Sequence, residues 1–426
     1  MPHMKNHLII VTNQYPFDVG EVFLETEIPY LAEEFDHVYL LSLSPDPRLT
    51  RKVPAGMKVE RYADEGVKWR DVWGLLTFVC GKTFRDELNI LKQRYGLKLD
   101  KSIIKSMLGT MYHGEKIYRS ITKLVEENEM DGKIYIYSYW MNEAAYAAGR
   151  FKEANRHAVC AICRSHGYDL YFERHANRYL PFRNYIASHL DAVYPISNDG
   201  LGYLQKKIDA KFAHKLKVSR LGINNHYDRA VQSTDGTLRI VSCSFIRKVK
   251  RLELIIDALS AIDGMNVIWT HIGDGELRDK MERYAAEKLG KKENVRYQFL
   301  GHLTNSEVMK HYSANPTDLL INVSESEGIP VSMMEACSFG IPIIATKVGG
   351  VGEIVENGVN GWLLSPHPDA GEVKAAVMKY HNLSIEEKEK YRDNAYRIWN
   401  EFYHAEKNYR AFIREMKEIG MNKDMR

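Results

Sequence analysis

The sequence predicts an α/β protein made of two parallel-sheet domains. Three observations carry this. The chain has 426 residues, room for two domains of ordinary size. Apolar runs of strand length alternate with helical segments through most of it, the pattern of parallel strands covered by helices. Its composition, 45% hydrophobic and 27% charged, is that of a globular protein with material for two cores.

In the first half the apolar runs predict strands at residues 7–12, 37–43, 133–137, 158–164, 192–196 and 216–220. In the second half they fall at 238–243, 266–271, 295–300, 318–322 and 342–345. Residues 231–237 are polar and rich in turn formers, and serve as the expected linker between a first domain, 1–230, and a second, 237–399. A helical insert at about 68–128 interrupts the first alternation. It mixes basic residues such as Arg85, Lys92, Lys101, Lys105 and Arg119 with apolar ones such as Trp73, Leu76, Phe78, Leu108 and Met111. A helix lying on a membrane surface has this composition, and so does a helical hairpin docked on the sheet. The tail is helical, charged and dotted with aromatics, among them Trp399, Phe402, Tyr409 and Phe412.

Net charge is +3, so nothing calls for a nucleic acid partner. The first 225 residues carry 32 Lys and Arg against 27 Asp and Glu, a mild surplus that suits an anionic membrane surface or acceptor. The longest apolar stretch, 72–80, is too short for a bilayer, which takes about 20 residues. With no leader visible, a cytoplasmic chain with reduced thiols is expected. His157, Cys160, Cys163 and His166 have the spacing of a zinc site. On a strand, however, Cys160 and Cys163 point to opposite faces, which makes them core fillers.

The stretch SESEGIPVSMMEA, from Ser324 to Ala336, is the most informative. It follows an apolar strand, so Glu327 stands on a loop at a strand's carboxyl end, where open α/β sheets bind ligands. Pro330 suits the first position of the next helix. The backbone N–H groups after it favour an anion, and Glu335 lies on that helix. A phosphate flanked by two polyols fits the arrangement; so does a plain strand–loop–helix unit with two solvated glutamates. After the first strand of the second half comes SFIRKVKRL, 244–252, whose Arg247, Lys248, Lys250 and Arg251 form a basic turn. Positive charge there would suit a phosphate-bearing ligand. No Asp-x-Asp, a usual metal-holding pattern, occurs anywhere.

The two glutamates, with seven residues between them, resemble the signature of the family 4 retaining glycosyltransferases, which have the GT-B fold. The resemblance extends to IGDGEL at 272–277, FLGHL at 299–303, ATKVGG at 345–350 and NGVNGW at 357–362, in the family's order. It is strong from about 239 to 364 and patchier upstream. It implies two Rossmann-like domains facing across a cleft, with a last helix, about 400–426, crossing back to the first. The second domain would bind a UDP- or GDP-linked sugar and the first a glycan or lipid-linked acceptor, in surface-polysaccharide synthesis, in the cytoplasm or at the inner face of a membrane and with no obligatory metal. By the same resemblance Glu327 holds the donor sugar, Glu335 the ribose and Lys250 the diphosphate. An arginine assists, Arg247 first and Arg251 second, because Phe245 stands where the family often has one. Gly273, Gly275, His302, Gly328, Ile329 and Val331 would line the donor. His166, in RSHGYD at 164–169, would position sugar or acceptor. Arg164 and Gly20, the latter in a loop where Asp18 and Glu21 can also cap the next helix, would lie on the acceptor side. Two alternatives stay open: an epimerase of nucleotide sugars on the same fold, and a non-enzymatic two-lobed sugar-binding protein.

Overall fold

The structure, a computed structural model, describes residues 5–18, 20–62, 81–155 and 159–421. The chain divides into two compact units. One comprises Met1–Leu221 with Ala405–Arg426, the other Gly222–His404.

The first unit is a six-stranded parallel sheet in the order β3-β2-β1-β4-β5-β6. Its strands are β1 (Asn6–Thr12), β2 (His37–Ser42), β3 (Lys58–Arg61), β4 (Lys133–Ser138), β5 (Val159–Ser165) and β6 (Ala192–Pro195). The central strands are apolar almost throughout because helices cover both faces. On one face pack α2 (Lys82–Gln93), α3 (Lys101–Glu127), α4 (Glu143–Ala154) and α5 (Arg183–His189). On the other lie α1 (Phe23–Glu34) and the last helix, Ala405–Met421, which buries Tyr409, Phe412, Ile413 and Met416. A further helix, α6 (Asn198–Lys207), follows β6. Strand alternation sends Cys160 into the core on the last helix's side and Cys163 into the other, so the two thiols share no site.

The described part of the insert is the pair α2–α3, docked on the sheet. Helix α3 buries Ile103, Met107, Met111, Ile117, Ile121 and Leu124, a stripe at helical spacing. It leaves Lys101, Lys105 and Lys123 exposed. Residues 68–80, with Trp73, Leu76 and Phe78, lie outside the described residues.

The second unit repeats the architecture in the order β12-β11-β10-β7-β8-β9. Its strands are β7 (Thr237–Cys243), β8 (Asn266–Ile272), β9 (Val295–Phe299), β10 (Leu319–Asn322), β11 (Ile343–Thr346) and β12 (Gly361–Leu364). The helices are α7 (Leu252–Ser260), α8 (Arg278–Leu289), α9 (Asn305–Ala314), α10 (Val331–Ser338), α11 (Ala370–His381) and α12 (Ile385–Ile398), and the last helix is numbered α13. In each sheet the strand order reverses beside the first strand, at β1/β4 and at β7/β10, where such folds bind ligands.

Several expectations need correction. Residues 216–220 form no strand: Leu216 makes one bridge to Val193, and only the Lys217 and Ser219 N–H groups reach β6 carbonyls. Strands β3 and β12 went unforeseen. The first is a short, mostly exposed edge strand. The second starts at Gly361, where a Cβ would stand 1.8 Å from the Ile343 carbonyl oxygen. The units divide at 221/222, not at 231–237. That polar segment belongs to the second unit, because Asp318 accepts from the Ser233 N–H at 2.9 Å and Val231 accepts from the Thr317 N–H at 3.0 Å.

Candidate functional site

In the second unit the loops after β7, β8, β9, β10 and β11 interlock. The Ile246 N–H donates to the Asp274 carbonyl, the Leu277 N–H to Ile246, and the Gly273 N–H to Gly301. Gly273 has φ +142°, and a Cβ there would stand 1.9 Å from the Ser244 carbonyl oxygen; at Gly275 one would meet Ile246 backbone at 2.6 Å. Both glycines are therefore required by backbone packing, which fixes the basic turn against the β8 loop. His302, just beyond, is exposed.

Lys250 leaves the basic turn and meets Glu327. Its Nζ lies 2.6 Å from Glu327 Oε1, which also accepts from Asn322 Nδ2 at 3.1 Å. The two side chains are 19% and 10% exposed, so the pair is shielded yet open to a ligand. The Glu325 N–H donates to the Val249 carbonyl at 2.8 Å and ties the two loops together. Gly349, at φ +50°, lies so close that a Cβ would stand 2.1 Å from the Glu327 carbonyl oxygen, and the Gly350 N–H donates to Gly328. Substituting Gly349 with alanine should push the Glu327 loop outward. The variant's structure should register that shift as a displaced 325–328 loop.

Helix α10 begins at Val331, one position later than expected, with Pro330 as its cap residue, and no side chain caps it. Gly328 and Val331 are partly buried and Ile329 is buried, so Ile329 can offer a ligand only its backbone. Glu335 is buried, and Asn305 Nδ2 donates to its Oε1. Burial raises its pKa to about 7, and the Asn305 hydrogen bond partly opposes the rise.

The two arginines have separate fates. Arg247 is exposed, its guanidinium 5.3 Å from the centre of the Phe245 ring. Arg251 is turned inward. Its Nε donates to the Val323 carbonyl at 2.7 Å and its Nη2 to Ser324 at 3.1 Å, with Thr346 Oγ1 and the Pro366 carbonyl at 3.5 Å. It holds the loops after β10, β11 and β12, and does so from a left-handed backbone, φ +48°. These bonds engage its Nε and Nη2.

In the first unit His166 follows β5. It is 8% exposed, packed between the rings of Tyr139 at 4.5 Å and Trp140 at 4.7 Å, and neither ring nitrogen has a hydrogen-bond partner among the described residues. Burial, helped by the charge of Arg164, lowers its pKa to about 3, so the imidazole is neutral at physiological pH. Asp169 accepts from the N–H groups of His166 and Met141, both at 2.6 Å, and pins this loop to the one after β4. Arg164 is fully buried and bonds inside the unit, with Glu27 at 3.1 Å, the Tyr137 hydroxyl at 2.7 Å and the Ser219 carbonyl at 2.7 Å. Its expected acceptor contact is corrected for that reason. Gly20 is partly buried, and a Cβ there would strike the Gln14 side chain. Glu21 does not cap α1. Its carboxylate accepts from the N–H groups of Asn13, Gln14 and Tyr15 and from the Trp140 indole.

Sequence reasoning assigns no role to Asn322, Asn305, Trp140 or Asp169, and offers Glu21 only as a helix cap. Trp140 meets Glu21 across 119 positions and Asn305 meets Glu335 across 30, separations that leave no local spacing to find. The strand ends that place Asn322 and Trp140 were the one available signal.

Residues 225–398 match the family described as Glycosyl transferases group 1. The putative colanic acid biosynthesis glycosyltransferase WcaL of Escherichia coli K12 is 28% identical over 232 residues, 52% of this chain and 55% of that protein. The chain thus aligns with only about half the length of this curated relative. Among solved structures, Anabaena Alr3699/HepE in complex with UDP superposes with a TM-score of 0.66 at 15% identity, over 97% of this chain and all of that one. The lipopolysaccharide outer core galactosyltransferase WaaB superposes with a TM-score of 0.65 at 13% identity, over 95% and 98%. The two Rossmann-like units are those of the GT-B fold.

Proposed function

We propose that the chain is a retaining glycosyltransferase. It transfers a sugar from a nucleoside diphosphate sugar to a hydroxyl of a glycan or lipid-linked acceptor, in surface-polysaccharide synthesis. The observation that carries this is the Lys250–Glu327 pair, a shielded ammonium and carboxylate 2.6 Å apart at the switch point of the second sheet, beside an uncapped helix start. Lys250 and Arg247, with the N–H groups opening α10, bind the diphosphate and stabilise its departure. Glu327 holds hydroxyls of the donor sugar, and Glu335 those of the ribose. His166, neutral and with neither nitrogen bonded to a described residue, accepts or donates one hydrogen bond to sugar or acceptor. No residue is assigned as base, because the leaving phosphate takes the acceptor's proton on the face it departs from. Side-chain and helix-end charge supplies what a metal would, so activity should persist in EDTA.

The likeness to a UDP-bound structure and to proteins named for colanic acid and lipopolysaccharide synthesis supports uridine and a surface glycan as first choices. No helix among the described residues is long and apolar enough to cross a membrane. We place the chain in the cytoplasm, where a lipid-linked acceptor would bring it to the inner membrane face. The test is a thermal-shift screen against UDP- and GDP-sugars, followed by a product assay with and without acceptor. Failure of every nucleotide sugar to bind would overturn the reading. An altered nucleotide sugar released without acceptor would make the chain an epimerase.

Glu335 adds a pH dependence. In the native chain it keeps a proton to about pH 7 that an ordinary glutamate loses near 4.5. Between those values the native state binds more protons than the unfolded one, so this group's contribution to stability falls as pH rises. Ribose hydroxyls donate to the ionised form, so binding runs the other way. Affinity for a nucleoside diphosphate sugar, whose phosphates do not titrate in this range, should rise by up to about tenfold per pH unit and level off above 7. Calorimetry from pH 5 to 8 should show that slope, and Glu335→Gln should flatten it.

A further inference from the structure

The insert helix α3 passes close over the start of α4 because residue 114 is glycine. A Cβ there would stand 2.6 Å from the Tyr146 ring and 3.4 Å from the Glu143 carbonyl oxygen. This approach brings His113 and Ile117 of α3 beside Glu143, in the first turn of α4. The three residues line a cavity of about 570 Å³ together with Ser44, Arg61 and Tyr62. Its floor is formed by the carboxyl ends of β2 and β3, the same end of the sheet from which His166 leaves β5. The volume lies within the range of small-molecule sites.

We infer that this cavity is the acceptor's sugar subsite, binding one neutral pyranose between the insert and the sheet; the inference rests on the glycosyltransferase reading above. The Glu143 carboxylate is partly buried and makes no hydrogen bond or ion pair with another described side chain. A carboxylate so placed accepts two neighbouring hydroxyls. Arg61 uses one N–H on the Pro45 carbonyl at 3.2 Å, and its remaining donors suit hydroxyl oxygens. His113 can donate or accept. One carboxylate and one guanidinium cancel, so the cavity favours neither an anion nor a cation. Ile117 and Tyr62 give the apolar surface that a sugar ring's C–H groups need. The insert thereby gains a role in choosing the acceptor.

The test uses the full chain and the methyl glycosides of glucose, galactose, mannose and N-acetylglucosamine, observed by saturation-transfer NMR, with UDP binding measured in parallel. At least one glycoside should bind the wild type. Glu143→Ala and His113→Ala should weaken it roughly tenfold, the loss of one hydrogen bond to a charged or strongly polar group, with UDP affinity unchanged. In transfer assays the same variants should raise KM for the acceptor and leave kcat alone. His113 is exposed, so its removal does not endanger the fold. Glycoside binding indifferent to both substitutions, or absent from the wild type, overturns the subsite. A chain that takes up no nucleotide sugar overturns the glycosyltransferase reading instead, so the two failures are distinguishable.

Discussion

Lys250→Met or Glu327→Gln is expected to lower sugar transfer by at least roughly a hundredfold, the usual loss when a preorganised charge is removed from a developing anion. Each substitution keeps nearly the shape of the side chain and deletes its charge. The pair is neither fully buried nor fully exposed, so the cost to stability should lie between those limits, about 1–3 kcal/mol. Such a loss leaves the protein folded at 25 °C. Rates at saturating donor, with thermal unfolding as control, separate the two effects. In Lys250→Met the loss of the proposed diphosphate contact should appear in both kcat and donor affinity. In Glu327→Gln, where Asn322 still supports the side chain at 3.1 Å, donor affinity should change less than kcat. Wild-type kcat in either variant would reduce the pair to a structural clamp.

The second large effect concerns stability. Arg164 and Glu27 are both fully buried, 3.1 Å apart, with the guanidinium also 4.1 Å from the centre of the Phe412 ring. Burial raises the pKa of Glu27, and the charge and hydrogen bond of Arg164 pull the other way. Arg164→Met leaves that carboxylate without its counter-ion and should cost about 3–5 kcal/mol. Replacing both residues, Arg164→Met with Glu27→Leu, removes the stranded charge and should recover much of the loss. Denaturant titration measures both. An acceptor contact, as first expected for Arg164, would instead change KM and leave the unfolding free energy alone.

The reason that expectation failed shows what the sequence can and cannot convey. Residue 164 was correctly seen near the end of a strand, but β5 runs on to Ser165. Alternation then points Arg164 into the core beneath α1 and α13 rather than out of the strand end. The opposite held for Lys250, Glu327 and Glu335. Each sits on a loop or helix whose place follows from an apolar strand just before it, so periodicity alone located them at carboxyl ends. The glycines at 273, 275 and 349 were legible as turns, yet the backbone atoms that demand them come from other loops. Arg251 was legible only as a charge. Nothing nearby reveals that its donors close on carbonyls 72 and 73 positions away. Edge strand β3 escaped because a strand paired on one side needs less apolar sequence than a central one, and β12, though apolar and mostly buried, because its run is only four residues long.

The course of the chain carries one more consequence. Residues 222–404 leave and rejoin the first unit at neighbouring points, for the Ile223 N–H donates to the Tyr403 carbonyl at 2.8 Å and Ile223 bridges His404. A gene fragment covering that span would encode a polypeptide whose two ends are already stitched together, with a sheet and core of its own. It could be excised, produced alone and titrated with nucleotide, and a short peptide in its place would rejoin the remainder without stretching it.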